Sequence, residues 1–379
     1  MRFYQYLPDN TVLCLLSPTA SGKTDLACQL YQTGRFELIS VDSALIYQDM
    51  NIGTAKPSHY ELECYPHHLV NIINPTQNYS VANFVQDVKI LIDKIHQNGK
   101  IPLLVGGTML YFMALFDGLS AVPDSCPNIR KQVFEWQEAK GIADLYTYLQ
   151  KYDPDICQKL KITDTQRITR AVEVLIQTGK NMSFWQKTPK QALSTNKTQF
   201  WLGLSVEPDR AWLHERIAMR LDLMWQAGLV DEVVNLLIKY PDLTPQMPSM
   251  RCVGYRQVLE FLALSNHFVM QQTDVWLDFS DNIKKNYHNL TNNAKKPIKH
   301  QQKTDDLACQ EMKNKALYAT RQLAKRQATW QRQLFKLNTV AHIPTITNTH
   351  QELFLQKSPV MVRFNNIKEV ENYLLSPCR

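Results

Sequence analysis

The chain has 379 residues, of which 44% are hydrophobic, and its 42 Lys and Arg against 35 Asp and Glu give a formal net charge of +7. This is an ordinary globular composition for two or three domains, and 12 Gly with 18 Pro exclude a collagen-like chain. No apolar run approaches the roughly 18 residues of a membrane helix, and the start lacks a signal-peptide core, so we expect a cytoplasmic protein without membrane contact.

The first third of the sequence alternates apolar runs with helical patterns. Strands are predicted over residues 11–16, 36–41 and 101–105, and helices over 23–32, 81–99 and 106–116. This strand–helix–strand order is typical of a parallel sheet with helices on its faces.

Only helical patterns occupy residues 124–180. The last of these helices has Asp164 as its candidate N-cap and Gly179 just past its end. A strand pattern returns over 199–206, so we predict an all-helical domain (124–198) inserted into an α/β core (1–123 and 199–340).

The segment 265–306 differs from its surroundings, because Asn, Lys and Gln dominate it and aliphatic residues are rare. Such a composition buries too little apolar surface to offset the entropy of ordering, so we expect a mobile insert within the core. A long helix is predicted after it, and residues 341–379 are expected to form a C-terminal tail.

The segment SPTASGKT (17–24) lies directly between the first predicted strand and the first predicted helix. That context is the one a phosphate-binding loop requires. Gly22 lets the backbone approach an anion, Lys23 supplies a positive charge, and Thr24 can bind Mg²⁺. Ser17 replaces the usual first glycine, and because Pro18 follows it, we expect Ser17 to adopt a negative φ.

Two further strand ends carry candidate chemistry. The second predicted strand ends at Asp42, which can hold Mg²⁺ through water or act as a general base beside a second substrate. The third predicted strand ends in a Gly-Gly pair followed by Thr108. The eight cysteines include no C-x-x-C pair and no zinc spacing, so they are interpreted as reduced packing residues.

Two functions fit the residues alone. A nucleotide or small-molecule kinase would use the same loop, with Asp42 as base or metal ligand. A non-catalytic RNA-binding protein would use the basic segments but would gain nothing from Asp42.

Six segments between about residues 17 and 327 resemble, in order, motifs of the bacterial tRNA dimethylallyltransferases, the MiaA family of IPP transferases. They are SPTASGKT, SVDSALIYQDMNIGTAKP, PLLVGGTMLY, DTQRITRAVEV, PSMRCVGYRQV and ATRQLAKRQ. The departures are Ser17 and the polar insert before the last motif. The resemblance implies a P-loop NTPase-like parallel sheet flanked by helices, with an inserted all-helical domain.

The resemblance also implies a prenyl-transfer reaction, in which the loop would hold a diphosphate leaving group. A related enzyme could prenylate free AMP, but the basic helical domain favours a macromolecular acceptor. A dimethylallyl group would move from dimethylallyl diphosphate to N6 of the adenosine on the 3′ side of the anticodon, with Mg²⁺ as cofactor. Asp42, Thr24 and Arg220 are the expected catalytic residues, and Thr24 the metal ligand. The diphosphate loop is expected to comprise Ser17, Pro18, Thr19, Ala20, Ser21, Gly22, Lys23 and Thr24.

The expected macromolecular partner is the anticodon stem-loop of tRNA, bound by a monomer whose helical insert acts as a clamp. Arginines, glutamine and an interleaved tyrosine suit phosphate contact and base stacking. The residues expected to contact tRNA are Asp42, Ser43, Ala44, Leu45, Thr108, Arg130, Gln166, Arg167, Ile168, Thr169, Arg170, Arg251, Cys252, Val253, Gly254, Tyr255 and Arg256.

Overall fold

The structure is a computed structural model that describes residues 2–293, 301–341 and 359–377. Its contacts divide the chain into two compact units: the residues up to Phe116 together with those from Asn196 onward, and the segment Asp117–Thr195. None of the helices in the described ranges has both the length and the apolarity to span a lipid bilayer.

A parallel sheet organises the first unit. In the described residues it has seven strands, in the order β3-β2-β4-β1-β5-β7-β6. Their bounds are β1 Thr11–Leu16, β2 Phe36–Val41, β3 His67–His68, β4 Ile101–Gly106, β5 Phe200–Val206, β6 Thr339–Ala341 and β7 Val360–Phe364.

The helices of the first unit lie between its strands along the chain and after the last strand. Their bounds are α1 Lys23–Gln32, α2 His59–Cys64, α3 Val81–Gln97, α4 Met109–Phe116, α10 Arg210–Gln226, α11 Leu229–Lys239, α12 Tyr255–Leu264, α13 Asp274–Asn293, α14 Gln301–Leu337 and α15 Ile367–Leu375. The segment Asp117–Thr195 contains α5 Pro127–Lys140, α6 Ile142–Tyr152, α7 Pro154–Cys157, α8 Thr165–Thr178 and α9 Met182–Gln186. Single 3-10 turns lie at Phe3–Tyr6, Leu193–Thr195 and Phe268–Gln271.

Apolar residues of the strands form the core of the first unit. Leu13 and Leu103 belong to one buried cluster with Leu26 of α1 and Val370 of α15. A second cluster is built largely from α10 to α14. Removing these apolar side chains from water is the main favourable contribution to folding.

The helical unit has a core of its own, formed by α5, α6 and α8 around Leu145 and Ile168. Asp164 caps α8 and Gly179 ends it at φ +68°, as the sequence predicted. The unit begins and ends earlier than the sequence indicated, at 117 and 195 instead of 124 and 198. The difference has a cause: an antiparallel bridge between Leu119 and Gln191 joins the two ends of the unit before and after its helices.

The expectation of a mobile insert over 265–306 is wrong for most of that segment. Helix α13 covers Asp274–Asn293, and Trp276 and Phe279 are buried in the second cluster with Ile283 packed against them. Spacings of three and four residues place the three on one helix face, and the polar composition hid this pattern. Residues 294–300 lie outside the described residues.

The C-terminal segment is not only a tail. Strand β7 pairs in parallel with β5, with Val360 opposite Leu202, and α15 packs Val370 and Leu374 against the sheet cluster. A five-residue apolar strand is too short for its pattern to be distinguished from other buried segments by periodicity alone. Residues 342–358 lie outside the described residues.

Candidate active site

Three strand ends meet at one point of the sheet. Gly106, the last residue of β4, lies opposite Leu16 of β1 and opposite Val41 of β2. The residues that follow these three therefore leave the same edge of the sheet side by side. They begin the phosphate-binding loop, the Asp42 segment and the Gly-Gly turn, so the sheet assembles the predicted site.

The loop between β1 and α1 has the backbone that close approach to an anion requires. Gly22 at φ +88° caps α1, and Ala20 also has a positive φ of 64°. Ser17 has no positive φ, as the sequence predicted, and its hydroxyl donates to Ser21 Oγ over 2.5 Å. Ser17 and Ser21 are buried, as are Pro18 and Ala20, whereas Thr19 is half-buried.

Lys23 extends back over this loop. Its Nζ donates to the carbonyl oxygen of Pro18 over 3.2 Å. Burial, and next the positive charge of Arg220, lower the pKa of Lys23 to about 8, while the Asp42 carboxylate acts in the opposite direction. Thr24, one residue further, is exposed at the start of α1. Burial and the neighbouring Arg220 both destabilise the charged form of Lys23, and a bound anion would stabilise it.

Asp42 lies just past β2, half-buried. Its Oδ1 accepts hydrogen bonds from the backbone N–H of Ala44 over 2.8 Å and of Leu45 over 3.4 Å. The segment is also tied to the third strand end, because the N–H of Ser43 donates to Thr108 Oγ1 over 3.0 Å. These bonds hold the carboxylate where it acts on the charges of Lys23 and Arg220.

Arg220 of α10 carries an orphaned donor. Its Nη2 donates to the carbonyl oxygen of Thr54 over 3.2 Å, and its Nε is buried without a hydrogen-bond partner among the described residues. Burial lowers its pKa, and Asp42 opposes that shift. A buried guanidinium N–H that finds no partner among the described residues fits an anionic ligand.

Glu232 of α11 was missed by the sequence reasoning. Its carboxylate accepts from the backbone N–H of Asn51, Ile52 and Gly53, at distances between 2.6 and 3.1 Å. It therefore fixes the loop whose Thr54 carbonyl holds Arg220. The sequence offers no local signal for such a contact, because the partners lie about 180 residues apart.

The segment 251–256 differs from the prediction. Helix α12 begins only at Tyr255, because Gly254 at φ +94° leaves the residues before it in turns. Tyr255 is fully buried, so the expectation that it stacks on tRNA is wrong. Burial also raises the pKa of the half-buried Cys252 thiol to about 12.

The other positions of this segment divide by exposure. Arg251 is exposed in the turn and Val253 is half-buried. Arg256 makes an ion pair with Glu260 over 3.2 Å and lies 4.9 Å from the ring centre of Phe279. Of the segment's charged groups, Arg251 remains the best placed for RNA.

In the helical unit, the expected tRNA residues divide in the same way. Ile168 is fully buried, so its side chain does not face RNA as expected. Arg170 donates to Ser125 Oγ over 2.7 Å and to the carbonyl of Pro123, and it pairs with the buried Glu173. This role is internal to the unit, which the sequence did not indicate.

The remaining residues of this group lie nearer the surface. Arg130 is largely exposed and lies 3.7 Å from Glu173 Oε1. Arg167 is exposed and pairs with Asp164 over 3.4 Å. Gln166 is exposed and Thr169, half-buried, donates to the Gln166 carbonyl oxygen.

Across the described ranges, no cluster of three or more His, Cys, Asp or Glu could hold a metal ion. A Mg²⁺ ion at this site would need ligands from a bound substrate. Mg²⁺ commonly takes one or two protein oxygens together with substrate phosphates. The exposed Thr24 hydroxyl beside the loop fits that arrangement.

Comparison with known proteins agrees with this geometry. The profile described as IPP transferase matches residues 45–334. The chain is 56% identical to the tRNA dimethylallyltransferase of Psychrobacter sp. (strain PRwf-1), over 98% of this chain and 96% of that protein. It is 44% identical to the tRNA dimethylallyltransferase of Acinetobacter baumannii (strain SDF), over 90% and 96% respectively.

A solved structure of a eukaryotic dimethylallyltransferase acting on tRNA has the same fold, with a TM-score of 0.62. It is 23% identical and the match covers 97% of this chain and 77% of that one. The fold is the P-loop NTPase-like parallel sheet that the resemblance implied. The chain belongs to the IPP transferase family.

Proposed function

We propose that this chain transfers a dimethylallyl group from dimethylallyl diphosphate to N6 of the adenosine on the 3′ side of the anticodon in tRNA. Family membership and 56% identity to a named tRNA dimethylallyltransferase make it a tRNA prenyltransferase. The finer assignments of donor, acceptor atom and residue roles are supported by the chemistry of the site. The observation that carries them is that Asp42, after β2, leaves the same edge of the sheet as the phosphate-binding loop after β1, where its charge acts on Lys23 and Arg220.

In the proposed reaction, the N6 nitrogen forms a bond to C1 of the dimethylallyl group as the bond from C1 to the diphosphate oxygen breaks. The N6 proton passes to Asp42. Only Oδ1 of Asp42 is hydrogen-bonded within the part of the chain that the structure describes, so Oδ2 is the oxygen available to it. A positioned base of this kind contributes roughly 10² to 10⁴ in rate.

The leaving diphosphate gathers negative charge as the bond breaks. Lys23, Arg220 and the loop N–H groups are the donors placed to stabilise that charge. Thr24 would hold Mg²⁺ together with diphosphate oxygens, and the ion would supply further charge neutralisation. The Nε of Arg220, which is buried without a hydrogen-bond partner in the described part of the chain, supports an anion beside it.

The test uses purified protein, unmodified tRNA, Mg²⁺ and isotope-labelled dimethylallyl diphosphate, followed by nucleoside analysis. We expect label in N6-dimethylallyladenosine beside the anticodon. Rapid ATP hydrolysis that leaves tRNA unmodified would favour a kinase instead. Binding of tRNA without any turnover would favour a non-catalytic RNA-binding protein. Monomeric state, cytoplasmic location and the clamp role of the helical unit remain predictions.

A further inference from the structure

Gln327 of α14 connects two loops of the site through one amide. The side chain is buried, with 8% of its surface exposed. Its Oε1 accepts from the backbone N–H of Thr19 over 3.2 Å, and its Nε2 donates to the carbonyl oxygen of Gly107 over 2.7 Å. One partner belongs to the phosphate-binding loop and the other to the turn after β4.

The turn is shaped for this contact. A Cβ atom at Gly107 would lie 2.6 Å from Gln327 Nε2 and 3.2 Å from the carbonyl oxygen of Ser17. The first distance is shorter than a carbon atom tolerates and the second is tight, so any larger residue would displace the amide. The lack of a side chain at Gly107 therefore allows the Gln327 amide to reach the backbone of this turn.

The connection continues to Asp42. Thr108 follows Gly107, its Oγ1 accepts the N–H of Ser43, and Ser43 follows Asp42. We propose that Gln327 is a positioning residue that fixes the phosphate-binding loop relative to Asp42. This inference rests on the proposed function, in which the loop holds the leaving group and Asp42 receives the proton.

Such a role affects the rate more than binding. The acceptor nitrogen and the donor carbon must meet in a narrow geometry, and displacement by about 1 Å can cost 10²-fold in rate. Among the described residues, the hydrogen bonds of Gln327 go to the backbone of the two loops, so the side chains that bind substrate remain in place when the amide is lost. The expected signature is a fall in kcat with little change in KM.

Two variants test this. Gln327→Met keeps the volume and loses both hydrogen bonds. Gln327→Glu keeps the acceptor for Thr19, but its ionised carboxylate repels the Gly107 carbonyl, whereas the protonated acid donates to it again. We expect kcat for tRNA prenylation to fall on the order of 10- to 100-fold in both at pH 8. On acidification to pH 6, the Glu variant should recover relative to the Met variant.

Gln331, one turn further along α14, is the matched control. It is equally buried, and its Nε2 donates to the carbonyls of Leu16 and Val206 and to Ser205 Oγ. Gln331→Met should lower Tm by an amount similar to Gln327→Met while changing kcat less than about threefold. Equal losses of kcat in both Met variants, or a loss confined to KM, would show that Gln327 only stabilises the fold.

A readout independent of prenyl transfer separates this inference from the proposed function. Inorganic diphosphate with Mg²⁺ should slow amide hydrogen exchange both in peptides covering 17–24 and in those covering 42–45. In Gln327→Met only the first effect should remain. If the second effect persists in that variant, the positioning role is wrong, even if the wild-type protein fails to modify tRNA.

Discussion

The hydroxyl of Tyr255 donates a hydrogen bond to Oε1 of Glu232 over 2.6 Å. Burial and the charge of Glu232 raise the pKa of Tyr255, so the hydroxyl stays protonated and remains a donor. The same carboxylate accepts three successive backbone N–H groups from the 51–53 loop. A Cβ at Gly53 would lie 2.5 Å from the Tyr255 ring, so the ring packs directly against the backbone of this loop.

We expect Glu232→Gln to lower the free energy of unfolding by about 2–3 kcal/mol, because an amide –NH₂ would face backbone donors that a carboxylate now satisfies. KM for dimethylallyl diphosphate should also rise, since the loop that holds Arg220 loses its anchor. Chemical denaturation and steady-state kinetics measure the two effects. The exposed Glu215→Gln on α10 is the control, and a variant indistinguishable from it would contradict the argument.

Elements with local signals could be predicted from the sequence. The apolar run 11–16 and the helix 23–32 have the predicted bounds in the structure, and the loop between them has the predicted backbone at Ser17. Gln327 lies within the motif ATRQLAKRQ, but the motif did not indicate the contact of this side chain with Thr19, because the two positions are 308 residues apart. Side chains that serve the backbone of a distant loop are specified by the fold, and a motif read along the chain does not reveal them.

Helix α13 leads to a prediction opposite to the one its composition suggested. Trp276, with 2% of its surface exposed, packs edge-on to Phe279 at a ring-centre distance of 5.8 Å. Trp276→Ala should cost about 3–5 kcal/mol, as for other buried aromatic truncations. Thermal or urea unfolding measures it, with the exposed Asn286→Ala on the same helix as control. Equal stability of the two variants would restore the expectation of a dispensable insert.

Asp42→Asn keeps the size of the side chain and its Oδ1 acceptor but removes its proton affinity. We expect kcat to fall by roughly 10² or more, with tRNA affinity nearly unchanged, because the lost interaction belongs to the transition state. Single-turnover prenylation and a tRNA-binding titration measure the two quantities. Asp222→Asn, exposed on α10, is the control. A near-normal kcat would remove Asp42 from the role of base.

Arginines at the surface should contribute to tRNA binding differently from Arg170, whose guanidinium is engaged by Ser125, Pro123 and Glu173. Arg251→Ala and Arg167→Ala should each weaken tRNA binding and flatten the log–log salt dependence by about one unit. Arg170→Ala should mainly lower Tm, because Glu173 would be left buried without this partner. Titrations of tRNA binding at several salt concentrations measure these slopes. Unchanged slopes in the Arg251 and Arg167 variants would show that neither arginine contacts a tRNA phosphate.

Lys23 sets an expected pH dependence for diphosphate binding. Its pKa is lowered from 10.5 to about 8, so the free protein loses this charge above about pH 8, and a bound anion raises the pKa again. Binding of inorganic diphosphate with Mg²⁺ at pH 9 should therefore take up close to one more proton in wild type than in Lys23→Met. Calorimetry in buffers of different ionisation enthalpy measures that difference, from which the diphosphate's own protonation cancels.

The lowered pKa of Lys23 also makes the stability of the folded protein depend on pH. Between about pH 8 and 10.5 the unfolded chain binds more protons at Lys23 than the folded one, so the destabilisation from this buried charge fades as pH rises through that window. Lys56 is the matched control, because burial lowers its pKa to about 8 as well, while its Nζ is engaged by the Tyr47 carbonyl and Asn71. Lys56→Met should keep the proton uptake on diphosphate binding. Equal uptake in wild type and Lys23→Met would show that Lys23 does not meet the diphosphate.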